Sequence, residues 1–121
     1  MKQDYQQMRV LELSTQVYAS GQLFEEDLKL LSRQGVRSIV NNRPDGETTG
    51  QPASADLARV AAELGMTYVH FPIESGRVSE DTARAFAKAC DGLERPIIAF
   101  SRTGARSIRL WETAEALDLL W

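Results

Sequence analysis

The stretch Pro96-Ile97-Ile98-Ala99-Phe100-Ser101-Arg102-Thr103-Gly104-Ala105-Arg106-Ser107 decides how the whole chain is read. Pro96 opens an apolar run with no polar interruption, the pattern of a central parallel strand covered on both faces. Ser101 to Arg106 then gathers small and polar residues around Gly104, and from about Ser107 the spacing turns helical. A loop that leaves the carboxyl end of a strand and feeds a helix aims backbone N–H groups and the positive end of the helix dipole at one spot, which favours an anion. Arg106 can fork onto two oxygens of that anion. Gly104 and Ala105 are small, so the backbone can approach it closely.

The flanking sequence alternates strand and helix. Ser79 reads as a helix N-cap, with Glu80 and Asp81 in the first turn and Ala83, Phe86, Ala87 and Cys90 on the buried face. Met66 to Phe71 predicts a strand stopped by Pro72, and Glu74-Ser75-Gly76-Arg77 is a second candidate active-site loop. Leu57, Val60, Ala61 and Leu64 share one helix face, with Pro52 in the first turn and Gly65 at the end. Val36 to Asn41 predicts another strand, and the polar loop Arg43–Gln51 leaves its carboxyl end, where parallel sheets keep their ligand sites. Phe24 to Gln34 is helical, acidic in its first turn and followed by Gly35. Residues 9–13 and 16–19 alternate across Ser14-Thr15 as a hairpin or bent edge strand, ended by Ser20-Gly21-Gln22. After the loop, Ile108, Trp111, Ala114 (or Glu115), Leu117 and Leu120-Trp121 form an apolar stripe. This order predicts an α/β fold: a short, mostly parallel sheet with right-handed crossovers and helices on both faces.

At 121 residues the expected organisation is one domain, residues 1–121. The net charge of −3 argues against a nucleic-acid footprint, although Arg102, Arg106 and Arg109 supply enough local basicity for a small anion. No apolar run approaches the ~20 residues that span a bilayer. The polar segment Met1–Gln7 does not read as a secretory signal, and a single Cys excludes an internal disulfide; both point to the cytoplasm. One His and no Cys cluster predict no metal site, and no other cofactor is expected.

The loop resembles the signature of cysteine-dependent phosphatases, in which a Cys opens the loop, a Gly permits the bend, and Arg followed by Ser or Thr closes it. More narrowly, the chain resembles the DUF442 family, the beta-lactamase-hydrolase-like phosphatase-like domains. The likeness rests on Ser20-Gly21-Gln22, Gly35-Val36-Arg37-Ser38-Ile39-Val40-Asn41-Asn42-Arg43-Pro44-Asp45-Gly46-Glu47, Gln51-Pro52, Tyr68-Val69-His70-Phe71-Pro72 and Arg102-Thr103-Gly104-Ala105-Arg106-Ser107. It implies a phosphatase-like fold and hydrolysis of phosphomonoesters through a phosphocysteine. Two features depart from it. Ser101 stands where the nucleophilic Cys belongs. Four residues separate position 101 from Arg106, against five in tyrosine phosphatases, and the shorter loop matches rhodanese-type sulfurtransferases.

A thiolate at 101 would be favoured by the helix terminus and Arg106, whereas a serine hydroxyl resists deprotonation and has no evident base beside it. Ser101 is read first as a Cys-to-Ser substitution in an intact loop, then as a natural anion binder, then as a weakly active serine. Arg106 is assigned to oxyanion binding and transition-state charge. Ser107 is either a hydrogen-bond partner of the nucleophile or a helix cap. Arg102, Thr103, Gly104 and Ala105 line the substrate oxyanion. Arg43 either widens the basic rim or pairs with Glu47 or Asp45. The resemblance calls for an Asp on the loop after the third strand to protonate the leaving oxygen. None is present there, so Glu74 and then Asp45 are the candidates. His70 reads as structural, Cys90 as a small buried hydrophobe, and Tyr18 and Tyr68 as partly buried strand residues.

The resemblance therefore implies a phosphatase-like enzyme, inactive with Ser101, its partner a small oxyanion (phosphate or sulfate) or a phosphorylated substrate. The alternatives are a sulfurtransferase carrying a persulfide at position 101, which needs no acid, and a non-catalytic anion-binding module. Relatives fused to persulfide dioxygenases make a partner in persulfide metabolism relevant, and Leu119-Leu120-Trp121 offers an apolar end for a partner or a second copy.

Overall fold

The computed structural model describes residues 10–120. Arg9 at the start of the predicted hairpin, Trp121 at the end of the predicted stripe and the segment Met1–Gln7 lie outside the described residues. The elements are β1 (Leu11–Ser14), β2 (Val17–Ser20), α1 (Glu25–Arg33), β3 (Ser38–Asn41), α2 (Ser54–Glu63), β4 (Thr67–His70), α3 (Glu80–Ala89), β5 (Ile97–Phe100) and α4 (Ala105–Ala116). The sheet order is β1-β2-β5-β3-β4, with β1 antiparallel to β2 and every other pairing parallel. Ser20 pairs with Phe100, Phe100 with Asn41, and Asn41 with His70. Four loops therefore leave one row of the sheet, among them the loop that follows β5, the middle strand.

All four residues of β5 are buried, which is why its sequence carries no polar alternation. Ile98 and Phe100 point into one core layer with Ile39, Leu28 and Leu31 of α1, and Leu57, Val60 and Ala61 of α2. Ile97 and Ala99 point into the other, with Val17, Val40, Phe86 of α3, and Leu110 and Trp111 of α4. Helices thus cover both faces of a mostly parallel sheet. Phe71 and Phe86 meet edge-on at 5.6 Å between ring centroids. Cys90 is buried among these side chains, and burial pushes its thiol up to about 12, so it is an inert packing group.

Helix starts show how local sequence fixes the frame. The Ser79 hydroxyl accepts the Thr82 N–H at 3.1 Å, capping α3 as its sequence predicts. Two predicted starts shift. Helix α2 opens at Ser54, beyond Pro52, because the Asp45 carboxylate reaches across to take the Ser54 N–H at 2.8 Å. Helix α4 opens at Ala105, not Ser107. Gly104, with φ +97°, completes the bend and serves as its N-cap, which draws Arg106 into the first turn. The buried face of α4 is carried by Ser107, Leu110, Trp111 and Ala114, with Ile108 only half-buried. Among the described residues, no helix is long and apolar enough to cross a membrane.

Candidate functional site

The loop Ser101–Gly104 is pinned at both ends. The Ser101 N–H donates to the Ser20 carbonyl at 3.3 Å, and the Gln22 N–H donates to the Arg102 carbonyl at 3.2 Å. The end of β2 and the loop after β5 therefore lie backbone against backbone. A Cβ on Gly104 would stand 3.2 Å from the Ser20 oxygen, and one on Gly21 would stand 3.3 Å from the Arg102 oxygen. That close approach is the physical reason for glycine at both positions, and it gives Ser20-Gly21-Gln22 a place in the site.

Ser101 is fully buried, and its hydroxyl oxygen accepts the Gly104 N–H at 3.1 Å. Among the described residues, no carboxylate or imidazole is hydrogen-bonded to that hydroxyl. The N–H groups of Arg102, Thr103, Arg106 and Ser107 have no hydrogen-bond acceptor among the described residues. The loop thus sets a buried serine oxygen and unpaired backbone N–H groups at the N-terminus of α4, the positive end of the helix dipole. Arg102, Thr103 and Ala105 are exposed.

Arg106 is buried and does not reach into open solvent. It grips Glu47 with both terminal nitrogens, Nη1 to Oε2 and Nη2 to Oε1, each at 2.9 Å, and Nη1 also donates to the Ile73 carbonyl at 3.0 Å. Arg43 is buried too: its Nε donates to Glu47 Oε1 at 2.8 Å, Nη1 to Gln22 Oε1 at 2.8 Å and Nη2 to Thr48 at 3.3 Å. Of the two readings of Arg43, the structure displays the ion pair with Glu47 and not an open rim. The Arg106 guanidinium, followed by that of Arg43, holds the Glu47 carboxyl down at about 2 against the opposing effect of burial. Glu47 is therefore ionised at neutral pH and cannot serve as a proton donor. Two guanidiniums share this carboxylate, so the cluster keeps a net positive charge.

The Ser107 hydroxyl, expected either to hydrogen-bond the nucleophile or to cap the helix, has no hydrogen bond to Ser101 or to a helix-start N–H among the described residues. It donates to Asn42 Oδ1 at 2.7 Å. Asn42 also donates from Nδ2 to the Phe71 carbonyl, just past β4, and from its backbone to the Phe100 carbonyl, so it links the first turn of α4 to the ends of β4 and β5. His70 bonds the Arg43 carbonyl through Nε2 at 2.9 Å, a structural role. Tyr68 bonds Ser54 and Asn41 through its hydroxyl, and its burial raises its pKa. Of the two acid candidates, Asp45 is engaged at the start of α2. Glu74 is exposed and follows Ile73, whose carbonyl touches Arg106. The loop continues to Gly76, whose carbonyl accepts from Arg109. Sequence reasoning missed Glu47 as the partner of Arg106, as well as Asn42 and Gln22. The available signal was that an arginine in a helix's first turn opposes the dipole and needs a carboxylate.

Among the described residues, no group of three His, Cys, Asp or Glu side chains is placed to hold a metal. A shallow cleft of about 350 Å³, lined by Arg84, Lys88, Asp91, Leu119 and Leu120 among others, shares no residue with the loop.

Residues 7–118 match the model of the beta-lactamase hydrolase-like protein, phosphatase-like domain. The chain belongs to this family. A beta-lactamase hydrolase-like protein of Agrobacterium fabrum is 34% identical over 111 residues, covering 92% of this chain. This chain spans only 26% of that relative's length. A Neisseria meningitidis protein provisionally assigned as a phosphatase shares the fold at a TM-score of 0.82, with 29% identity over 92% of this chain and 79% of that one. A Shewanella putrefaciens protein, likewise assigned and grouped under DUF442, gives a TM-score of 0.76 and 20% identity over 90% of this chain and 68% of that one. The phosphatase-like family thus accounts for the fold.

Proposed function

We propose that residues 1–121 form one phosphatase-like unit whose loop 101–106 binds the oxyanion of a phosphomonoester, and that with Ser101 this chain binds without turnover. The observation that supports the reading is that buried Ser101 accepts the Gly104 N–H, the loop and the first turn of α4 leave further N–H groups unpaired, and Glu47 holds the Arg106 guanidinium from that same turn. A thiolate at 101 would attack phosphorus and displace the alcohol oxygen, forming a phosphocysteine that water then cleaves. Arg106 and the loop amides would hold the equatorial oxygens throughout. Glu74 is the better acid for the leaving oxygen, because the Asp45 carboxylate is already engaged and that of Glu47 stays ionised. Ser101 lacks a base and is a poor nucleophile, so the cycle stops at binding. Neither metal nor cofactor enters this scheme, and the cytoplasm remains its expected setting.

Sulfur transfer is the second reading. The six-residue loop favours it, and persulfide exchange at a Cys in position 101 would need no acid. The first test is titration of the chain with orthophosphate. Amide shifts confined to residues 101–107, with no release of phosphate from an aryl phosphate, support the proposal; shifts elsewhere or none refute it.

A further inference from the structure

The contacts around Arg106 close into a ring. A guanidinium carries five N–H donors in a fixed fork. Glu47 takes one from Nη1 and one from Nη2, and Ile73 takes the second from Nη1. The two that remain are Nε–H and the Nη2–H next to it. They form the side-on edge of the guanidinium, and neither has an acceptor among the described residues. This edge, on a side chain only 9% exposed, is the donor pair left for an oxyanion.

Glu47 does not stand alone. Its Oε1 is also held by Arg43 Nε, Arg43 is held by Gln22 Oε1, and the Gln22 N–H is bonded to the Arg102 carbonyl. The path runs Arg102–Gln22–Arg43–Glu47–Arg106 and returns to the loop where it began. Arg43 gives Nε and Nη1 to this ring and Nη2 to Thr48 beside it, so each of its side-chain nitrogens has a partner.

From this geometry we infer that Gln22 and Arg43 are positioning residues, which fix Glu47 and through it turn the Nε–H/Nη2–H edge of Arg106 toward a bound oxyanion. They touch no anion themselves. The inference rests on the oxyanion reading of loop 101–106. It replaces a direct contact between Arg43 and substrate with an indirect one. It also makes a neutral residue on a different strand's loop, Gln22, a determinant of anion affinity.

The test is calorimetric titration of the full chain with orthophosphate, using Gln22→Ala, Arg43→Met, Arg43→Lys and Arg106→Met, with the Arg106 Nε–H followed by NMR. Gln22→Ala, which changes no charge, should weaken phosphate binding about tenfold, the low end of the loss when an outer partner is removed. Arg43→Lys keeps the charge but loses the fork and should weaken binding to a similar extent. The Arg106 Nε–H should exchange faster with solvent in both. Overturning results are a phosphate affinity within twofold of the parent in Gln22→Ala, whatever its melting temperature, or full affinity in Arg43→Lys, which would mean a direct charge contact. Loss of binding in Arg106→Met supports the underlying site. A parent that binds no phosphate refutes that site, and the ring then stands or falls on Nε–H exchange alone: faster in Gln22→Ala sustains it, unchanged overturns it.

Discussion

Replacing Glu47 by Gln removes the charge that two buried arginines share while keeping the side chain's size. The Arg43 and Arg106 side chains are 4% and 9% exposed, and Glu47 is 28% exposed. Removing one partner of a fully buried pair costs about 3–5 kcal/mol, and water at Glu47 lowers that to about 2 kcal/mol. The proton equilibrium gives an independent check. The Glu47 carboxyl falls from 4.5 to about 2. At ~1.4 kcal/mol per unit this sets a ceiling of about 3 kcal/mol before screening. With an unfolding entropy of ~2.1 cal/mol/K per residue, a loss of about 2 kcal/mol lowers the melting temperature by about 8 °C at pH 7. The sign with pH follows from linkage. A carboxylate with a depressed folded pKa contributes fully above its unfolded value and loses that contribution as pH falls toward the folded one. The gap between parent and Glu47→Gln should therefore be widest above pH 5, have lost more than half its size by pH 3, and close near pH 2. Thermal melts by circular dichroism at pH 7, 4 and 3 measure it. Equal melting temperatures at pH 7, or a gap that does not shrink at pH 3, would refute the shared-carboxylate reasoning.

Gly104→Ala should cost about 1–3 kcal/mol. The residue sits at φ +97° with the Ser20 carbonyl 3.2 Å from the new Cβ, and phosphate binding should fall along with the melting temperature. In a Ser101→Cys background, Glu74→Gln should slow hydrolysis of alkyl phosphates by about 10²-fold or more, and that of aryl phosphates with good leaving groups much less. Equal slowing of both classes would remove Glu74 as the acid.

The fold was legible where local pattern and tertiary demand agree. Ile97–Phe100 reads as a doubly covered strand because its neighbours β2 and β3 and both helix layers leave no polar face. Ser79 reads as a cap because its partner Thr82 is three residues away. The site was half legible. The loop is a local object, written in Ser101 to Ser107. The clasp on Arg106 is not local. It exists because β5 lies beside β3, so that loops 59 residues apart in sequence meet. Neither periodicity nor spacing encodes which strand neighbours which. The same holds for Ser107, whose partner Asn42 leaves β3 at the row where Phe100 ends β5. The start of α4 shifted for a local reason, since Gly104 finishes the turn before the apolar stripe begins.

The most direct measurement of the central claim is a paired assay on Ser101→Cys, with the Ser101 chain as the blank. One arm follows phosphate release from an aryl phosphate; the other follows, by mass, loading of a single sulfur from thiosulfate or a persulfide. The account predicts phosphate release in Ser101→Cys, none above background in the Ser101 chain, and its loss again when Arg106 becomes Met. A sulfur-sized mass gain without phosphate release, or silence in both arms from a folded protein, would contradict it.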